Sequence, residues 1–265
     1  SMTTHAAPNC DYEAFRDAMA YGRDAEFDQL LAACRQAGRW PERDDGASLL
    51  HLAPHVGGRK AGAYTRALLA AGLSPHTVTR DRNDPVSPLG MAVRFDCAPC
   101  VEALLAAGAD VGLRGPDDET MLHAAGADTA PLLIAAGLSP MARDRHGNVP
   151  LHRAWHADLL AAGVNVTNDA GLTPLHTAAL ADSLWRVDAL LAAGADPSKR
   201  TTRDTHWRLS GMSRAFGPGL EVPKGSNAFD LARARYKASR WSTQTHEATM
   251  RRLEAVTPKR GWFNF

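Results

Sequence analysis

This 265-residue chain lacks most of the features that point directly to chemistry. It holds four cysteines, Cys10, Cys34, Cys97 and Cys100, too sparse a set to suggest the disulfide framework of a secreted domain. Cys97-Ala-Pro-Cys100 has CxxC spacing, but a structural zinc ion needs four ligands and no second such pair follows, so two ordinary helical thiols are expected. No run of about 18 apolar residues is present to span a bilayer. No basic-then-apolar leader opens the chain either, and Ser1 before Met2 looks like a cloning scar. Cytoplasmic residence, or delivery to a host cell without a classical signal peptide, is the expectation. Lysine is scarce, 5 against 25 arginines, and with abundant alanine this looks like a high-GC bacterial genome. There is no Walker loop, dinucleotide fingerprint or Gly-x-Ser-x-Gly elbow. His246-Glu247 begins like a zincin helix but Met250 stands where the second histidine belongs. His51 with His55 and His152 with His156 have i, i+4 spacing, yet no metal quartet is in prospect. No catalytic residues, no metal and no cofactor are therefore assigned.

What the chain does have is a repeated phrase. Leu-Leu-Ala-Ala-Gly occurs at 68–72, 104–108, 159–163 and 190–194, with a near copy at 133–137, and successive terminal glycines fall 36, 29, 26 and 31 residues apart. Self-similarity at such a period marks a repeat protein whose units bury their apolar faces on one another. A second phrase keeps step upstream: Ser48-Leu-Leu-His51, Ser87-Pro-Leu-Gly90, Thr120-Met-Leu-His123, Val149-Pro-Leu-His152 and Thr173-Pro-Leu-His176. A hydroxyl at the N-cap followed by proline at the first helical position starts a helix. The glycine after Leu-Leu-Ala-Ala takes the left-handed conformation that ends one.

These phrases resemble the ankyrin repeat, whose helix pair opens with Thr-Pro-Leu-His and closes in Gly-Ala-Asp, as at Gly108-Ala-Asp110 and Gly194-Ala-Asp196. The resemblance implies an all-α fold: a solenoid of stacked helix pairs with β-turn or hairpin connections. One continuous domain is expected, with an N-terminal capping helix pair in 1–41, five repeats in 42–198, a basic loop insertion at 199–225, and C-terminal capping helices with an aromatic tail in 226–265. The third and fourth repeats are short: Leu122 to Gly137 is 15 residues and Leu151 to Gly163 only 12, against 19 in the second and fifth. Asp230 lies 54 residues after His176, where one period is about 33. The roughly 20 extra residues thus form a long loop of the kind that usually carries function.

Charge divides the chain. Residues 1–198 carry 16 Lys+Arg and 24 Asp+Glu, a formal −8, whereas residues 199–265 carry 14 and 5, a formal +9. A basic end with interleaved aromatics is suited to an acidic protein surface, a nucleic acid or a membrane face, or else is a solvated capping surface; no nucleic-acid motif accompanies it, and a nucleotide or cryptic enzyme site is a further alternative.

In ankyrin proteins partners are met by the turn tips before each Thr-Pro-Leu-His and by the residues after its alanine pair. Carried onto this chain, the tip positions include Asp44, Asp45, Arg82, Asn83, Asp84, Asp117, Glu119, Arg145, His146, Asn148, Asp169 and Leu172. The groove adds His55, Arg94, Phe95, Arg153, Trp155, His156 and Leu180, and the insertion adds Trp207, Arg208, Arg214 and Phe216. Trp155 stands where the family has a small residue, either filling the space of the missing turns or anchoring a partner. The resemblance implies a non-enzymatic bacterial module, monomeric alone, that binds one protein: a toxin, as an immunity protein, or a host protein, as an effector.

Overall fold

The computed structural model describes residues 10–82, 84–207, 220–238 and 244–258. The chain divides into two compact units, Ser1–Ser139 and Pro140–Phe265.

The first unit opens with α1 (Tyr12–Ala20) and α2 (Asp24–Ala37). Asp11 caps α1 by accepting the Glu13 N–H, and Gly38 ends α2 in the left-handed conformation. Phe15 meets Phe27 edge-on at 5.6 Å, and Phe27 meets Tyr64 at 4.6 Å, so the first pair is bound to the next through aromatic contacts. Tyr64 also donates its hydroxyl to Asp24 at 2.5 Å. Burial and that carboxylate push the phenol up to about 12.

Three further repeats of unequal helical content follow. The first has α3 (Leu49–Leu52), a 3-10 turn (Ala53–Val56) and α4 (Gly58–Ala70); the second has α5 (Pro88–Arg94) and α6 (Ala98–Ala106). In the third only a 3-10 turn (Met121–Ala124) precedes α7 (Ala130–Ala135). The leucine-rich phrase works the same way throughout: Leu68, Leu104 and Leu133 are wholly buried, while Leu69, Leu105 and Ile134 are half-buried. Each fully buried leucine stabilises by about 1.5–3 kcal/mol.

The second unit begins with a 3-10 turn (Pro150–His152) and α8 (Ala157–Gly163), followed by α9 (Pro174–Leu180) and α10 (Leu184–Ala192). It closes with α11 (Ala228–Ala238) and α12 (Gln244–Val256). Asn227 and Asp230 cap α11 reciprocally: each side chain accepts the other's backbone N–H. Between α10 and α11, β1 (Thr205–Trp207) pairs antiparallel with β2 (Leu220–Val222), Thr205 opposite Val222 and Trp207 opposite Leu220. The insertion expected as a loop therefore begins and ends in a two-stranded ribbon. Val222 packs with Leu172, Leu180 and Leu231, against which Trp207 and Leu220 lean.

The cysteines correct the expectation of free thiols. Cys10 is bonded to Cys34 and Cys97 to Cys100. No helix among the described residues is long and apolar enough to cross a membrane.

Candidate binding surfaces

Each turn ahead of an inner helix is closed by a backbone ring whose bonds recur along the chain. Arg43 N–H reaches Ala47 O, Thr79 reaches Val86, Gly115 reaches Glu119, Asp144 reaches Asn148, and Asn168 reaches Leu172. Thr201 N–H reaches Ser226 O and Gly225 N–H returns to Thr201 O, so a ring of this kind also closes the base of the β1–β2 ribbon. The histidines tie each ring to the helix before it. His152 accepts the Val149 N–H at Nδ1 and donates from Nε2 to Leu172 O at 2.9 Å. His176 accepts from Thr173 and donates to Ser226 O at 3.2 Å, and His51 donates to Val86 O at 3.0 Å. A backbone N–H faces one ring nitrogen and a carbonyl the other, which fixes the neutral tautomer protonated at Nε2. Burial lowers all three, His152 and His176 to about 4.

In the first unit, Asp44 is exposed at its tip. Asp45 folds back, pairing with Arg43 and accepting the Ala47 N–H, and its partner arginine holds its carboxyl below the usual range. Arg80 N–H bonds Asp45 O at 2.6 Å, lacing the first tip to the second. There Arg82 is exposed, while Asp84 takes two bonds from Arg94 at 2.7 and 2.8 Å. Glu119 curls back to accept the Asp117 N–H. His55 meets Phe95 at a tilt of 47° with ring centroids 4.1 Å apart, and Phe95 remains 48% exposed. Asn83 lies outside the described residues.

The second unit's tips form a laced row. Asp144 is buried and accepts the N–H groups of His146 and Asn148, leaving the side chains of Arg145 and His146 exposed. Asn168 donates to Asn148 at 2.8 Å and Asp169 N–H bonds His146 O. Thr202 N–H bonds Ala170 O, and the Arg203 guanidinium donates to Asp169 O. Lys199, Arg200, Arg203 and Lys224 are exposed around the base of the ribbon. Trp207 is half-buried, with Arg235 over its ring at 5.9 Å. Arg208, Arg214 and Phe216 lie outside the described residues.

Two expected contact residues are core. Leu172 is 4% exposed and Leu180 fully buried, packed together beneath β2, because the ring Asn168–Leu172 turns the leucine inward to receive the His152 bond through its carbonyl. Trp155 is half-buried and meets Trp185 edge-on at 5.2 Å, the latter 58% exposed. Arg153 is half-buried and lends its carbonyl to Arg186. His156 caps α8 by accepting the Asp158 N–H. Trp185 was missed; its only signal was an aromatic in the first turn of an otherwise ordinary outer helix. Among the described residues no three His, Cys, Asp or Glu side chains converge to hold a metal.

Chains with this helix-pair and turn arrangement are known. The human ASB11 ankyrin repeat domain superposes on 90% of this chain and 96% of its own length with a TM-score of 0.58, at 22% identity. The chain has the ankyrin repeat fold, and part of its sequence is similar to ankyrin repeat proteins. No family model matches it. It is 34% identical over 139 residues to the B-cell lymphoma 3 protein of Homo sapiens, covering 44% of this chain. It is 36% identical over 140 residues to ankyrin repeat and SOCS box protein 16 of Mus musculus, covering 42% of this chain. The matches span 31% of each of these relatives, about a third of their length.

Proposed function

We propose that this ankyrin chain is a bacterial protein-binding module that grips one folded protein with the laced turn tips of its second unit and the ribbon grown from the last of them. The enlarged tip carries this reading. Thr201 and Ser226 close it with the backbone ring used by the shorter tips, yet it adds a ribbon rimmed by Lys199, Arg200, Arg203 and Lys224. Val222 anchors the ribbon in the core, so its base is ordered before a partner arrives and little entropy is lost on contact. Trp155 and Trp185 add a half-open aromatic pair of the residue type that dominates interface energetics. Ankyrin repeat proteins bind other proteins through such surfaces, and the arginine-rich, lysine-poor composition supports a bacterial source.

The test is affinity capture from the source cell with the wild-type chain and with the Lys199→Glu/Lys224→Glu variant, whose two side chains are exposed. One stoichiometric protein is expected on the wild type, with at least tenfold weaker binding to the variant at unchanged melting temperature. Capture of no stoichiometric protein overturns the proposal, and so does capture that the variant leaves undiminished. A captured toxin assigns an immunity role; a host protein assigns an effector role.

A further inference from the structure

Cys97 and Cys100 occupy the first turn of α6, Cys97 as its N-cap and Cys100 three residues on, with Cα atoms 5.3 Å apart. We propose that this pair is a thiol–disulfide exchange site that reacts with a small thiol such as glutathione, and with its disulfide in reverse. Four observations carry the assignment, and none depends on the binding surface proposed above.

The bond does little for the fold. It closes a loop with a sequence separation of 3, whereas Cys10–Cys34 spans 24, and the restriction a disulfide places on the unfolded chain grows with loop length. The two sulfurs also differ in environment. Cys97 keeps 7% of its residue surface open and Cys100 none, the latter in a cluster with Leu89, Val101 and Leu104, so the approach of a thiolate is more open on the Cys97 side. The helix start favours negative charge on a sulfur at this point, because the backbone dipoles of α6 present their positive end there. Finally, the turn is held whether or not the bond exists. Pro99 lies directly against α4, its Cβ 2.4 Å from where a Cβ on Gly62 would stand, and Cys97 N–H is bonded to Ala92 O at 2.9 Å. Reduced thiols therefore stay within reach of each other.

The chemistry balances with thiols alone. A glutathione thiolate attacks Cys97 Sγ, the Cys97–Cys100 bond breaks, and Cys100 leaves as a thiolate that takes a proton from solvent. A second glutathione thiolate attacks the mixed disulfide at the glutathione sulfur, releasing Cys97 and oxidised glutathione; the two electrons come from the two glutathione thiols. Oxidised glutathione runs the steps backwards.

The test poises the folded full-length chain across a series of reduced-to-oxidised glutathione ratios, quenches with a maleimide, and maps both cysteine pairs by mass spectrometry. Reversible passage of Cys97–Cys100 between disulfide and dithiol is expected while the circular dichroism stays native. Cys100→Ser is expected to trap one glutathione on Cys97, and Cys97→Ser to leave Cys100 at least tenfold slower to react. The proposal is overturned if the folded chain keeps this pair as a disulfide in all ratios, or as a dithiol in excess oxidised glutathione, or if Cys100 reacts as fast as Cys97. Should either serine variant fail to fold, the wild-type titration alone decides.

Discussion

His152 and His176 are held with one proton each, and their surroundings have no place for a second. Nδ1 faces a backbone N–H in both, so protonating it sets donor against donor inside the core. Burial sets their low values, about 4 against an ordinary 6.5, and outweighs the backbone hydrogen bonds, which act in the opposite direction. The unfolded chain therefore binds more protons between those limits. Stability is fully present above about pH 6.5 and falls as pH drops towards 4, by about 2 kcal/mol for each histidine at pH 5. Denaturant titrations at pH 7 and pH 5 check this, and an equal midpoint at both would contradict it. His176→Ala opens the brace between Thr173 and Ser226; the expected loss is about 1–3 kcal/mol at pH 7 and a shallower dependence on acid. The Thr-Pro-Leu-His phrases place these histidines at the openings of inner helices without coordinates, but not the carbonyls they reach. Leu172 was not legible in the same way. A tip residue faces solvent or core according to the rotation of its ring, and the sequence records only that a leucine precedes Thr173.

At the scale of elements, corners between inner and outer helices carry as much of the fold as the helices do. Asp96 is left-handed at φ 49°, and its carboxylate accepts the Thr129 N–H at 2.9 Å, the Thr129 hydroxyl at 2.8 Å and the Asp128 N–H, fixing the start of α7. Asp182, also left-handed at φ 54°, plays a similar part in the second unit by pairing with His246 of α12 at 3.2 Å. Asp96→Ala loses these bonds and places a Cβ residue without a local acceptor in a costly conformation, for an expected 2–4 kcal/mol, about. Asp96→Asn keeps an acceptor and the tolerance for that backbone, so its thermal melt lies nearer wild type. Gly62 in α4 gives a second test at this scale. Glycine to alanine inside a helix ordinarily stabilises by about 1 kcal/mol, but here the new methyl meets Pro99 of α6 at 2.4 Å. Gly62→Ala is expected to lower the melting temperature, and a rise would show that α4 and α6 separate easily. Leu-Leu-Ala-Ala-Gly made the outer helices readable because an apolar pair and a left-handed stop are local signals. The collapse of two inner helices to 3-10 turns was readable only as missing length. The disulfides were not readable, because pairing depends on where α1, α2 and the α6 turn bring sulfur atoms together.

Over the whole chain the formal charge of +1 conceals two opposed units. Residues 1–139 carry 12 Lys+Arg and 18 Asp+Glu, a formal −6, and residues 140–265 carry 18 and 11, a formal +7. In the second unit several of these charges serve the fold: Arg252 binds Asp188 at 2.6 Å, and Arg200 holds Gly225 O while approaching Asp230. The exposed lysines at 199 and 224 are left to act at a distance, and long-range attraction governs encounter more than the lifetime of a complex. An acidic partner should therefore associate with a rate that falls about tenfold or more between 50 mM and 500 mM salt, as Debye screening shortens, while its dissociation rate changes little. Stopped-flow mixing with the captured protein separates the two rates. An association rate indifferent to salt would mean that the basic residues only solvate the ribbon, and that recognition rests on shape and on the Trp155 and Trp185 pair, whose alanine variants would then slow nothing on approach and speed only release.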